Sequence, residues 1–395
     1  GQLGVEFGKP EIDVDRIRGW KDEVVGKLTG GLGQLVERKK IRYLRGTARF
    51  KDSRTLVVTD ADGQQSEAGF GKAIIATGSQ PVLLPDVELD ERIIDSSGAL
   101  ALSDVPASLL VVGGGYIGLE LGSVYAALGS RVTVVEMTGG LLPGCDRDLV
   151  SVLGRRLKST LEDIRLDTKV SELKTQKNGV MATLTGKKDQ TERKRFEKVL
   201  IAIGRRPVTA DLGLENTGIE VTDKGFVSVD AQRRTAEPHI FAIGDATGEP
   251  MLAHKAYAEA DAAVSAAAGQ PAVYAPRAIP AVVYTDPEIA WCGLTETEAR
   301  AADRDVKTAK LPWRGNGRTL TLGRDDGLTK LIVDPQSERV LGVGMVGPGA
   351  GELIAEGVLA MEMAAVGEDL RKTIHPHPTL SETIFEAAGA LRSRS

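Results

Sequence analysis

The residues of this 395-residue chain best placed to do chemistry are six in a row, Gly113-Gly114-Gly115-Tyr116-Ile117-Gly118, directly after the apolar run Leu109 to Val112. A GxGxxG in that position serves a dinucleotide. Gly113 permits a tight turn, Gly115 lets the backbone approach a pyrophosphate, and Gly118 lets a helix pack closely on a strand. The N-terminus of the helix that opens there would stabilise the phosphate charge. Glu136 ends the next apolar run, where a ribose 2′-hydroxyl needs an acceptor. A 2′-phosphate would want a cation instead, and Met137-Thr138-Gly139-Gly140 supplies none, so the spacing predicts NAD rather than NADP.

A second candidate lies near the C-terminal end, in Thr373-Ile374-His375-Pro376-His377-Pro378-Thr379-Leu380-Ser381-Glu382, which holds two of the four histidines. An imidazole, with an intrinsic pKa of about 6.5, suits proton removal near neutrality. A carboxylate a few residues on could fix its tautomer. The same spacing describes a histidine packed in a rigid turn between prolines. Two short runs, Ala76-Thr77-Gly78-Ser79 and Ala242-Ile243-Gly244-Asp245, each end a strand-like stretch; either alone reads as a plain turn. Cys145 and Cys292 stand far apart, so neither a disulfide framework nor a zinc or other metal site is expected.

The elements that must position these residues follow from periodicity. A helical apolar rhythm runs from Ile12 to Leu32 and is expected to stop at Gly30-Gly31. Strands are expected at Ile41 to Leu44 and Thr55 to Thr59, and a short buried strand before Ala76. Leu109–Val112, Ile117–Leu128 and Val132–Val135 form a strand, helix and strand around the glycine loop, a βαβ unit. HIFAIGD and an alanine-rich helix from His254 to Ala268 come next, then alternating strands from Pro276 and an amphipathic helix from Glu352 to Ala364.

The whole composition bounds the function. A length of 395 residues exceeds what one core usually serves. A net charge of -5 offers no basic field for nucleic acid. No run approaches the roughly 20 apolar residues of a spanning helix, so a cytoplasmic or organelle-matrix location and no membrane association are expected. The opening residues, Gly1 to Pro10, read as mid-strand and turn, which marks the chain as a fragment of something longer.

With TGGL at Thr29–Leu32, ATGS, GGGYIGLELGSVYAALGS, AIGRRP, HIFAIGDATGEPMLAHKA, YTDPEIAWCG and HPHPTLSE in this order, the chain resembles the pyridine nucleotide-disulfide oxidoreductases, and among them the lipoamide dehydrogenase family. The resemblance implies an α/β fold: an FAD/NAD(P)-binding Rossmann-like two-domain arrangement plus a C-terminal α+β dimerisation domain. It would divide into residues 1–80 (part of the FAD domain), 81–204 (NAD domain), 205–275 (the rest of the FAD domain) and 276–395 (interface domain). It implies FAD and NAD as cofactors. For FAD, Asp245 would bond the ribityl chain, Met251, Leu252, Ala253 and His254 would contact the flavin, Ala48 would meet the adenine, and Thr77, Gly78 and Ser79 would pass nearby. For NAD, Glu120, Val170 and Gly204 join Gly113–Gly118 and Glu136.

The resemblance also makes His377 and Glu382 the catalytic dyad, and leaves His375, His254 and His239 as structural, flavin-packing and strand-edge residues. His377 would deprotonate dihydrolipoamide carried on a lipoyl domain of a 2-oxo acid dehydrogenase complex. The thiolate would attack an enzyme disulfide, and electrons would pass through FAD to NAD+. A homodimer built on the C-terminal domain follows, with the helix Leu353 to Met363 as part of the interface. The sequence departs from the family in one respect: it holds no CxxxxC pair and no second glycine loop for FAD ahead of it. The competing expectations are a noncatalytic NAD-binding and dimerisation fragment, and another disulfide reductase of the same family. Against the latter stand the absence of arginines after the second NAD strand and of a C-terminal cysteine pair.

Overall fold

A computed structural model of the protein describes residues 4–8 and 10–392. Of the expected opening strand, residues 1–3 and 9 lie outside the described residues, and residues 4–8 form no strand. Along the chain run α1 (Val14–Arg38), β1 (Thr47–Asp52), β2 (Thr55–Thr59), β3 (Gln65–Gly69), β4 (Ala73–Ile75), β5 (Ser79–Pro81), β6 (Ile93–Ile94), α2 (Ser96–Ala101), β7 (Ser108–Val112), α3 (Tyr116–Ala127) and β8 (Arg131–Val135). Next come α4 (Arg147–Thr160), β9 (Asp163–Arg165), β10 (Lys169–Gln176), β11 (Gly179–Thr185), β12 (Thr191–Phe196), β13 (Lys198–Ile201), β14 (Arg205–Pro207), β15 (Ile240–Ala242) and α5 (Ala253–Ala267). The last part holds β16 (Ala281–Val283), β17 (Glu288–Gly293), α6 (Glu296–Ala301), β18 (Lys307–Pro312), α7 (Gly317–Leu322), β19 (Leu328–Val333), β20 (Val340–Gly347), α8 (Ala350–Glu362), α9 (Gly367–Lys372) and α10 (Glu382–Ala390).

The chain forms two compact units. The first joins residues 1–80, 97–105 and 205–274; the second joins 81–96, 106–204 and 275–395. The cut differs from the four expected segments in placing 97–105 with the first unit and in grouping 106–204 with 275–395.

In the first unit, Asp13 caps α1 by accepting from the Arg16 N–H at 3.0 Å. The helix does not stop at Gly30-Gly31 but continues to Arg38. A helical glycine costs only about 1 kcal/mol, which weakens a helix without ending it; the end comes at Lys40, with φ 54°. No residue of α1 is buried. The strand expected at Ile41–Leu44 does not form, because those exposed residues have no ladder partner and pairing begins only where Thr47 of β1 meets Thr59 of β2. β1, β2 and β3 make an antiparallel sheet, and β4 and β15 a parallel pair. Phe50, Ile75, Leu214, Ile219, Val227, Ile240 and Ala242 share one core.

In the second unit, a five-stranded sheet has the order β6-β13-β7-β8-β9, all parallel. Leu109, Leu110, Val111, Val132 and Val134 are fully buried, as a parallel sheet covered on both faces requires. β10–β12 form an antiparallel meander, and β16-β17-β20-β19-β18 a second five-stranded sheet, antiparallel, under α8 and α10. Ala290, Val343, Met345, Ile354, Ile384 and Ala387 belong to its core.

A buried ion cluster ties elements of this unit together. The Lys330 ammonium on β19, whose side chain is 1% exposed, meets Asp146 at 2.7 Å, Asp148 at 2.7 Å and Glu296 at 2.6 Å. Asp146 also accepts the N–H groups of Glu296 and Thr297 at the start of α6. Burial opposes every charge here, yet the hydrogen bonds win: the lysine is raised and all three carboxyls are lowered. The three acidic groups lie close enough together to hold a metal, but Lys330 already supplies the cation.

Candidate cofactor and acid-base sites

Parallel pairing brings the C-terminal ends of β13, β7 and β8 to one edge, the place where open α/β sheets bind ligands. There Gly113 has φ +112°, and a Cβ on it would lie 2.3 Å from the Ala202 carbonyl oxygen. A Cβ on Gly118 would lie 2.1 Å from the Gly113 carbonyl oxygen, so α3 sits tight on β7. Gly115 is the N-cap of α3 and has open space where its Cβ would be, the room that a phosphate needs. Tyr116 and Ile117 begin the helix, with Tyr116 40% exposed.

Glu136 follows β8 and is 9% exposed. One oxygen accepts the Gly114 N–H at 2.7 Å, the other the Thr138 N–H at 2.7 Å. A carboxylate pinned beside the glycine loop can still accept from a ribose hydroxyl through its remaining lone pairs. Gly204, with φ +127° and an open Cβ position, follows β13. Val170, half-buried on β10, lies just beyond Thr168, whose N–H donates to the Glu136 carbonyl oxygen. Glu120 on α3 turns toward the C-terminal part of its unit and accepts the Tyr284 N–H at 2.8 Å; burial raises its carboxyl above the ordinary value. This residue set fits NAD. A second run with the same glycine spacing, Gly342 to Gly347, lies inside β20, where added Cβ atoms would strike Leu294, Leu149 and Trp313; spacing alone therefore does not make a nucleotide loop.

In the first unit, β4 and β15 likewise end side by side. Asp245 accepts from the Ser79 hydroxyl, and the Arg205 guanidinium donates to both the hydroxyl and the carbonyl oxygen of Ser79, at 2.7 and 2.8 Å. Beneath them, buried Glu259 accepts the Gly244 N–H, and Lys255 donates to the carbonyls of Gly244 and Gly248. Gly78 has φ +71°, and the Thr77 hydroxyl donates to the Val208 carbonyl. Leu252 is the N-cap of α5, Ala253 and the exposed His254 open it, and half-buried Met251 precedes it. Ala48 is half-buried on β1, opposite Val58. A half-buried carboxylate on a rigid loop fits the polyol side of FAD. The sequence holds no second helix-opening glycine loop for the flavin's pyrophosphate.

The third group is the loop before α10. The His377 ring, 76% exposed, meets Glu382 through Nδ1 at 2.9 Å. The second Glu382 oxygen accepts the Thr379 N–H at 2.8 Å. That backbone bond first, then the one from His377, holds the Glu382 carboxyl below its ordinary value. With Nδ1 engaged, Nε2 is the atom left to take a proton. His375 is bonded to Glu356 and packs against Phe385. His239 is more than strand-edge surface: its Nε2 meets the Ser53 carbonyl at 2.6 Å and its ring stacks on Phe70. Both cysteines are buried, which pushes their thiols up to about 12. Arg205 and Glu356 escape a reading by motif because their partners, Ser79 and His375, are distant in sequence; the AIGRRP run that holds Arg205 is the one available signal.

Residues 5–260 match the pyridine nucleotide-disulphide oxidoreductase family and residues 279–388 its dimerisation domain. The dihydrolipoyl dehydrogenase of Vibrio parahaemolyticus is 42% identical over 386 residues, covering 98% of this chain and 81% of that protein. That of Haemophilus influenzae is 44% identical, covering 98% and 80%. Among solved structures, LpdA of Mycobacterium tuberculosis superposes with a TM-score of 0.90 at 28% identity, covering 99% of this chain and 85% of that one. The HOCl-induced flavoprotein disulfide reductase RclA of Escherichia coli gives 0.86 at 29% identity, covering 95% and 85%. No helix among the described residues is long and apolar enough to cross a membrane. The chain belongs to the pyridine nucleotide-disulphide oxidoreductase family.

Proposed function

We propose that this chain supplies the NAD+ site and the acid-base dyad of a dihydrolipoyl dehydrogenase, and that the observation carrying this reading is the Nδ1 contact of His377 with Glu382. Gly113–Gly118 and Glu136 bind and orient the dinucleotide, with Glu120, Val170 and Gly204 around it. Asp245, Ser79, Thr77, Gly78, Ala48 and Met251–His254 receive the flavin. FAD, when bound, relays the electron pair from dithiol to NAD+. His377, held by Glu382, takes the thiol proton of dihydrolipoamide at Nε2. The substrate arrives on the lipoyl domain of a 2-oxo acid dehydrogenase complex, in the cytoplasm, and the dimerisation domain pairs two chains so that the base serves the partner's redox centre. Residues 1–80 and 205–275 form the flavin domain, 81–204 the NAD domain and 276–395 the interface domain.

The thiol pair that exchanges with lipoamide is neither Cys145 nor Cys292, because thiols held up near 12 are unreactive at neutral pH. With a redox-disulfide and FAD-loop segment of the family joined ahead of the chain, His377→Gln should lower kcat for dihydrolipoamide oxidation by about 10²–10⁴-fold, the usual share of a general base. NADH affinity should stay unchanged. Full activity in the variant would remove His377 from the mechanism.

A further inference from the structure

Two histidines two positions apart sit in opposite surroundings. The His377 ring is 76% exposed, whereas the His375 side chain is 5% exposed. Nδ1 of His375 meets the Thr373 carbonyl oxygen at 2.9 Å and Nε2 meets a Glu356 carboxylate oxygen at 2.9 Å. Its ring lies 6.0 Å from that of Phe385 on α10. The segment between α9 and α10 has no helix or strand of its own, and Ile374 beside His375 is 95% exposed. An exposed ring on such a loop keeps its orientation only if the loop is tied down nearby, and a misplacement of about 1 Å can cost about 10²-fold in rate.

We propose that His375 is a positioning residue for His377: bonded to Glu356 on α8, it fixes the loop so that the His377 ring stays in register with Glu382. The inference rests on the reading of His377 as the base. Charged groups reach His375 from two elements, Glu356 on α8 and Glu382 on α10. Glu382 is a partner the loop needs, because it also fastens the Thr379 N–H. Two further ties, Thr379 to the Pro376 carbonyl and Asn316 to the Thr379 carbonyl, hold the C-terminal side of the loop. The Glu356–His375 pair therefore secures the opposite side.

Four histidines make the ring nitrogens resolvable by ¹⁵N NMR. The spectra are recorded well above the intrinsic imidazole pKa of about 6.5, where the neutral ring reports its tautomer. The chain should show His377 as the Nδ1–H tautomer. Glu356→Ala should shift both His377 ring signals toward the average of an unrestrained imidazole. Glu356→Gln, which still offers a hydrogen-bonding partner to Nε2 of His375, should restore them. His375→Ala gives the same reading from the other partner should Glu356→Ala not fold. Glu382→Gln is the control for the dyad. His377 signals unmoved in the Glu356 and His375 variants, but moved by Glu382→Gln, overturn the positioning role and leave the dyad standing. Signals unmoved by Glu382→Gln as well overturn both.

Discussion

At the scale of single residues, the glycine loop and its acidic neighbour were legible because their signal spans three elements: a strand, a glycine loop that opens a helix, and an acidic residue after the next strand. Gly342 to Gly347 has the same spacing without that context and is simply a strand threaded past Trp313 and Leu149. His377 with Glu382 was legible because the partners are five residues apart on one loop. Arg205 on Ser79 and Glu356 on His375 were not, since each pair is created by folding. Glu136 carries the sharpest expectation here. Glu136→Gln should weaken NADH binding by about 1.5–3 kcal/mol, the usual worth of a hydrogen bond to a charged group, as titration calorimetry would read. Unchanged affinity would mean that the carboxylate serves only Gly114 and Thr138. Glu382 is depressed, so the stability it lends its loop is complete above the ordinary carboxylate pKa of about 4.3. That contribution is lost only as pH falls through the lower, folded value.

Among the elements, the βαβ unit and the C-terminal sheet followed their periodicity, while the boundaries of α1 did not. Glycines in a helix with open Cβ positions cost little and end nothing, so Gly30 and Gly31 misled. The buried Lys330 cluster was invisible in the sequence because its members come from a strand and from the starts of two helices, α4 and α6. Lys330→Met should destabilise the second unit by about 3–5 kcal/mol, since it leaves buried Asp146 without a cation while Lys310 still reaches Asp148 and Glu296. A melting temperature equal to that of the parent chain would contradict this. The carboxyls Asp146, Asp148 and Glu296 are depressed, so their contribution is whole above pH of about 4 and fades as pH falls through their folded values. Lys330 is raised, so its part is whole below about 10.4 and fades as pH rises through its folded value.

For the molecule as a whole, a net charge of -5 offers no basic field, and the family motifs carried the functional reading. What composition did not reveal is where apolar surface would lie. Trp20, Leu28 and Leu32 of α1 are 68%, 69% and 65% exposed, and no residue of that helix is buried. A contiguous apolar stripe of this kind drives association. Sedimentation velocity on the isolated chain should show concentration-dependent self-association that Trp20→Glu with Leu28→Glu reduces; a dimer whose size and yield ignore both substitutions would contradict it.

The central claim, that this chain carries the NAD site of its family, is tested most directly by calorimetric titration of the purified chain with NADH and with NADPH, alongside Gly115→Val. The dinucleotide loop needs neither flavin nor redox disulfide to bind. NADH should bind at least about tenfold more tightly than NADPH, a difference of about 1.4 kcal/mol, because Glu136 repels a 2′-phosphate, and Gly115→Val should abolish the heat of both. Equal affinities, tighter NADPH, or binding that survives Gly115→Val would contradict the account.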